Sequence, residues 1–244
     1  MRSTKLSRFC DGLLEAGWLA ALILAPLFFN TYSSRVFEPD KIALVRTIAL
    51  VMAAAWSVKL VEEKGLRRAG GHSTRFASRP GLPSVRGISL VVPVAILISA
   101  YLISTLFSIT PRVSVWGSYP RLQGMYTTLS YVVIFAAVAA HLRRKEQAER
   151  LITVILLTSL PVSLYGVMQK LQIDPLPWGE DTTARVTSTL GNAIFIGAYL
   201  IMAVPLTGMR ILESFRAILS APGNLGRHAA RAAVYVFIGA MQLL

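Results

Sequence analysis

Cysteine is almost absent. The single Cys10 excludes a disulfide within the chain and any Cys-x-x-Cys metal or redox site. No small residues lead into Arg8-Phe9-Cys10-Asp11, so no lipoprotein signal is read there. Histidine is nearly as scarce. His72, His141 and His228 lie far from any carboxylate-rich cluster, and no His-Glu-x-x-His, Gly-x-Ser-x-Gly or Walker loop occurs. The chain therefore presents no metal site, no cofactor motif and no identifiable general base. Acids are outnumbered, 12 against 25 lysines and arginines, and none forms a chain through an apolar segment, which argues against a proton-coupled transporter.

What is present is apolar. Hydrophobic residues make up 54% of the chain, charged residues only 15%, and the mean hydropathy is +0.57. Those values describe an all-α, polytopic transmembrane helix bundle. A net charge of +13 in a soluble chain would suggest nucleic-acid binding, but here the cations sit in the gaps between long apolar runs, so no nucleic-acid partner is expected.

Six complete apolar segments are predicted at Gly17–Tyr32, Ile42–Leu60, Ile88–Phe107, Tyr126–Leu142, Leu151–Gln169 and Gly191–Met209, each near the ~20 residues that cross a bilayer. No small-x-small cleavage site follows the first, which is read as a retained helix rather than a signal peptide. A seventh segment starts near Ala232 and is still apolar at Leu244, so it is expected to be a truncated helix. The expected organisation is an N-terminus over 1–16, helices one and two over 17–60, a basic linker over 61–87, helices three to six over 88–209, a loop over 210–231 and the start of helix seven over 232–244.

The cations fix an expected orientation. Arg2, Lys5, Arg8, Lys59, Lys64, Arg67, Arg68, Arg75, Arg79, Arg86, Arg143, Arg144, Lys145, Arg150, Arg210, Arg216, Arg227 and Arg231 fall on one side. Only Arg35, Lys41, Arg112, Arg121, Lys170 and Arg185 fall on the other, with Arg46 inside the second helix. The positive-inside rule then puts the N-terminus in the cytoplasm. The Glu62–Gly87 linker, rich in Gly, Ser, Pro and Arg, sets topology and touches anionic headgroups.

With that orientation, helices two, four and six begin at the external face, where a helix start offers unpaired N–H groups and about half a positive charge. Cations lie beside each start. Lys41 follows Glu38-Pro39-Asp40, with Arg46 about one turn deeper; Arg121 precedes Gln123-Gly124; Arg185 precedes Gly191-Asn192. Asn192 is a natural N-cap, and Gly191 lets backbone approach a bulky ligand. Together these residues form a candidate external anion site. Each also has a plain alternative. Arg121 and Arg185 could be interfacial anchors, Arg46 could snorkel outward, and Ala193 with Gly197 could be a small-residue packing seam. Trp116, Tyr119 and Trp178 suit an interface whatever the function. The external pair Glu180-Asp181 reads as solvated loop acids.

Three stretches in register carry a resemblance. "WGSYPRLQGMYTTLSYVVIFAAVA" (116–139) and "RVTSTLGNAIFIGAYLIMAVPL" (185–206) resemble signature stretches of the O-antigen ligase family, the bacterial membrane glycosyltransferases that include related polysaccharide polymerases. "YSSRVFEPDKIALVR" (32–46) resembles the first external turn of members with C-terminal tetratricopeptide repeats. Where the family commonly has Gly-Asn-Pro, Ala193 follows Gly191-Asn192 here, a change at a preferred first-turn position.

The resemblance implies metal-independent transfer of a glycan from undecaprenyl diphosphate to an acceptor hydroxyl at the external face of the bacterial cytoplasmic (inner) membrane. It implies that Arg121 and Arg185, then Arg46 and Lys41, engage the diphosphate, supported by Gly124, Gly191 and Asn192. The histidine base of the family lies in a C-terminal half, so the chain corresponds to an N-terminal part whose partners are membrane lipid, the lipid-linked glycan and that missing half. Two other readings stay open: a lipid-linked sugar translocase, and a non-catalytic truncated membrane fragment.

Overall fold

The computed structural model describes residues 4–33, 36–69, 84–85, 88–174, 176, 185–220 and 225–244. Side chains are not described for 63–69, 84–85 and 88–89. Arg35, His72, Trp178, Glu180 and Asp181, and most of the expected 61–87 linker, lie outside this set. The regular elements among the described residues are helices and one minimal antiparallel pair, β1 (Ser84–Val85) with β2 (Ile88–Ser89), in which Ser84 faces Ser89. The helices are α1 (Lys5–Leu27), α2 (Glu38–Ala69), α3 (Val91–Leu106), α4 (Pro111–Trp116), α5 (Met125–His141), α6 (Lys145–Lys170), α7 (Ala193–Ser220) and α8 (Leu225–Leu243).

Four of these are long and apolar enough to cross a membrane: α1, α2 over Glu38–Glu62, α6 and α7. The third and fourth expected spans correspond to α3 and α5, which are apolar but only 16 and 17 residues long. At 1.5 Å per residue they reach about 24 and 26 Å, short of a hydrocarbon core of about 30 Å. The six-span count is therefore not reproduced by length alone. Strand β2 takes up Ile88 and Ser89, which the sequence pattern assigned to the third span.

The structure also extends helix where a loop was expected over 210–231. Arg210 and Arg216 lie on α7, and Arg227 and Arg231 lie on α8, which begins seven residues before Ala232. Hydropathy marks where charge begins, whereas the backbone continues its i→i−4 bonds for as long as charged side chains find partners or water. Arg210 is paired with both Glu149 and Glu213. Pro161 and Pro205 lie inside α6 and α7.

The chain divides into two compact units. The first comprises Met1–Ala21 and Glu38–Ala148; the second comprises Leu22–Phe37 and Glu149–Leu244. In the first unit α1 and α2 run antiparallel. Thr4 donates to Glu62, Lys59 pairs with Asp11, and Gly17 meets Met52. The α2 and α5 helices start at one end, where Arg46 reaches Thr127, and finish at the other, where the rings of Trp56 and His141 meet edge-on at 5.4 Å. Thr4 Oγ1 caps α1 by accepting the Ser7 N–H, and Glu38 and Asp40 place negative charge in the first turn of α2. The core of this unit is Leu14, Trp18, Met52, Ala55 and Ala137. A Cβ on Gly17 would lie 2.6 Å from Met52 Cγ, so the Met52 side chain would have to shift to admit one.

In the second unit α6, α7 and α8 alternate in direction. A buried polar clamp ties them: the Gln242 amide donates to Ser159 Oγ at 2.7 Å, and Thr207 Oγ1 donates to Gln242 Oε1 at 2.9 Å. Such bonds between membrane helices are worth about 0.6–1.7 kcal/mol. Gln242→Leu is expected to cost about 1 kcal/mol, because Thr207 and Ser159 fall back on the Ala203 and Leu156 carbonyls that they already face. A double-mutant cycle with Thr207→Val, read by reversible denaturation in detergent, checks this; full additivity would mean that the clamp is not a unit.

Candidate functional site

Between α4 and α5 the chain makes a short closed loop, residues 117–124. Gly117 ends α4 at φ +85°, and Gly124 stands directly before α5. The two glycines meet backbone to backbone. A Cβ on Gly124 would fall 2.4 Å from Gly117 N and 2.5 Å from Val115 O, and one on Gly117 would fall 2.3 Å from the Leu122 carbonyl carbon. Inside the loop, the Arg121 and Leu122 N–H groups donate to Ser118 O at 3.1 and 2.7 Å. Leu122 sits at φ 49°, a left-handed conformation that costs a residue with a Cβ about 1–2 kcal/mol. Gly124 thus serves close backbone packing.

Arg46 reaches this loop from α2. Its Nε donates to Thr127 Oγ1 at 2.9 Å, and its Nη2 donates to Trp116 O at 2.7 Å and Leu122 O at 2.6 Å. The guanidinium lies 4.8 Å from the centre of the Tyr126 ring, within cation–π range. Arg46 is 8% exposed, and all of these partners are neutral. Among the described residues no carboxylate pairs with it. The outward-snorkelling alternative does not hold: the side chain points into the loop.

Arg121 extends from the same loop with its side chain 74% exposed. Its contact with Glu38 is long, 3.9 Å from Nε to Oε2. An exposed pair of that length contributes little and is easily exchanged. Lys41 stands one turn along α2 from Glu38, half-buried and within that carboxylate's electrostatic reach. Arg46, Lys41, Arg121 and Gly124 are therefore brought together at one end of the first unit.

Arg185, Gly191 and Asn192 belong to the second unit. Arg185 is exposed and leads into the 3-10 turn Ser188–Leu190. Gly191 follows at φ +73°, and Asn192 caps α7, its Oδ1 accepting the Ile194 N–H at 2.8 Å. The expected cap is present. The space beside Gly191, however, is filled from within the chain: a Cβ there would fall 2.3 Å from Phe37 Cγ. Gly191 thus admits the Phe37 ring, which also packs against Phe29. Nothing lies within 4 Å of a Cβ on Gly197, so the Ala193–Gly197 packing seam is not formed among the described residues.

Sequence reasoning overlooked Gln169. It is fully buried near the end of α6, and its Oε1 accepts the N–H groups of Thr187 and Ser188 at 3.2 and 2.7 Å. Ser188 holds φ 49°, and its hydroxyl donates to Val162 O. Thr189 donates to Pro26 O at 2.8 Å. The turn that carries Arg185 is thus anchored from beneath. A glutamine at the end of an apolar run is the only signal that the sequence offers for it. Tyr126 and Thr127, which read as plain first-turn residues of a span, were overlooked in the same way.

No family model matches the chain, and no curated protein or solved structure is significantly similar to it.

Proposed function

We propose that the chain is the N-terminal membrane part of an O-antigen ligase-like glycosyltransferase, which moves a glycan from undecaprenyl diphosphate to an acceptor hydroxyl at the external face of a bacterial inner membrane. In this reading α3 and α5 complete six spans by local thinning of the bilayer, the N-terminus is cytoplasmic, and α8 is the seventh helix. The observation that carries the proposal is the loop of residues 117–124. It holds an exposed, weakly paired Arg121 above a buried Arg46 whose partners are all neutral.

A buried guanidinium with no carboxylate partner among the described residues leaves a net positive field at the loop. At about 8 Å, beyond direct contact, and an effective dielectric of about 20, a unit charge is worth about 2 kcal/mol to a phosphate oxygen. Charge on a diphosphate leaving group grows as the glycosidic bond breaks, so such a field acts more strongly on the transition state than on the bound donor. Arg121 and Lys41 supply donors that can reach the diphosphate. Arg185, exposed and without a hydrogen-bond or ion-pair partner among the described residues, is assigned the same chemistry in its own unit.

The test is transfer by the full-length protein from a lipid-diphosphate-linked glycan to its acceptor. Arg121→Ala and Arg185→Ala are each expected to lower transfer at least ~10-fold, about 1.4 kcal/mol of transition-state stabilisation, while leaving membrane insertion and melting unchanged. Arg121→Lys should restore part of it, since lysine keeps the charge but loses the planar fork. Wild-type transfer in both alanine variants would refute the assignment. Flipping of the donor without transfer would point to the translocase instead.

A further inference from the structure

We propose that Arg46 is a latch: it holds the 117–124 loop shut by spanning both of its ends, and so acts as a positioning residue for Arg121 rather than as a ligand of the anion. The consequence for transfer rests on the function proposed above; the latch does not.

The geometry is specific. Trp116 O lies just before the loop, Leu122 O lies within it, and Thr127 Oγ1 lies just after it on α5. One guanidinium therefore ties the last residue of α4, the loop and the first turn of α5 to a single point on α2. The Leu122 carbonyl is the pivot, since it also accepts from Thr127 Oγ1 at 2.6 Å. It belongs to the residue with the strained φ, so the conformation that costs most is the one the latch grips. Tyr126 supports the guanidinium from its ring face and meets Trp116 edge-on at 5.5 Å. Arg121 is adjacent to Leu122 in the chain, so its reach is set by whether that pivot holds.

A residue acting only by charge would be replaced well by lysine. A latch would not, because an ammonium cannot place two donor nitrogens of fixed spacing against acceptors on three segments. The experiment is hydrogen exchange by mass spectrometry on the full chain in detergent or nanodiscs, with wild type, Arg46→Lys, Thr127→Val and the double variant. In Arg46→Lys, peptides covering 115–125 are expected to exchange at least tenfold faster, with peptides from the Leu14–Trp18 and Met52–Ala55 core unchanged. Thr127→Val should give a smaller local gain of about threefold, and the double variant should add nothing to Arg46→Lys, as for groups acting as one unit. If Arg46→Lys leaves loop exchange at the wild-type rate, the latch is wrong. Should that variant unfold as a whole, Thr127→Val decides alone, and an unaltered loop there overturns the proposal. Transfer adds an independent reading. With the latch intact as described, Arg46→Lys loses turnover together with loop protection; loss of turnover with a fully protected loop would make Arg46 a direct ligand of the anion and overturn the positioning role.

Discussion

Alanine in place of Gly124 is expected to destabilise the protein by about 3 kcal/mol, at the upper end of the usual cost of overpacking. The added methyl would meet Gly117 N, Val115 O and the Trp116 carbonyl carbon at 2.4, 2.5 and 2.8 Å. All three are backbone atoms, so no side-chain rotation relieves the clash. The loop must open or the start of α5 must shift. Either movement also strains the Arg46 bonds to Trp116 O and Leu122 O. The same substitution elsewhere supplies the control. Gly12, Gly197 and Gly208 lie in helices, and a Cβ at any of them meets nothing within 4 Å. Alanine at those positions is expected to be neutral or to stabilise by up to about 1 kcal/mol, through helix propensity. Equilibrium denaturation of the four variants in one detergent checks the contrast. If Gly124→Ala is as mild as Gly208→Ala, the glycine-to-glycine closure does not exist.

That contrast shows what a sequence makes legible in this chain. Apolar runs and the charges between them locate α1, α2, α6 and α7, because lipid demands long uninterrupted apolar helix and each turn of it is written locally. The Asn192 cap was equally readable, since the cap and the N–H it accepts lie two residues apart. Helix ends were less so. Of the two acids that hold Arg210, Glu213 lies three residues on, within local reach, but Glu149 lies 61 residues away and leaves no local sign. The candidate site divides the same way. Arginines and glycines near helix starts stood out by type, but their roles depended on partners far along the chain. Arg46 binds its loop across 70 to 81 residues, and Phe37 occupies the space at Gly191 that seemed open to a ligand. Composition marks a residue as unusual; only the partner says what it does.

Gln169 is the residue for which that gap matters most, and Gln169→Leu is expected to cost about 1–3 kcal/mol. The side chain is 0% exposed, and its Oε1 accepts the N–H groups of Thr187 and Ser188. Leucine matches the bulk but offers no acceptor. The Ser188 N–H, itself fully buried, then loses its partner in a place that water does not reach, a penalty of about 1–3 kcal/mol. Ser188 also holds a left-handed φ of 49°, which costs about 1–2 kcal/mol and persists only while its surroundings fix it. With the amide acceptor gone, relaxation of the turn toward a right-handed conformation becomes favourable, and Arg185, three residues upstream, moves with it. Under the proposed function, Gln169→Leu should therefore lower glycan transfer about tenfold, as is expected of Arg185→Ala, while hydrogen exchange over 115–125 in the other unit stays at the wild-type rate. Exchange at Thr187 and Ser188 should rise sharply. A stability loss under 1 kcal/mol with those two amides still protected would mean that another acceptor holds the turn, and that Arg185 does not depend on the α6 glutamine for its place.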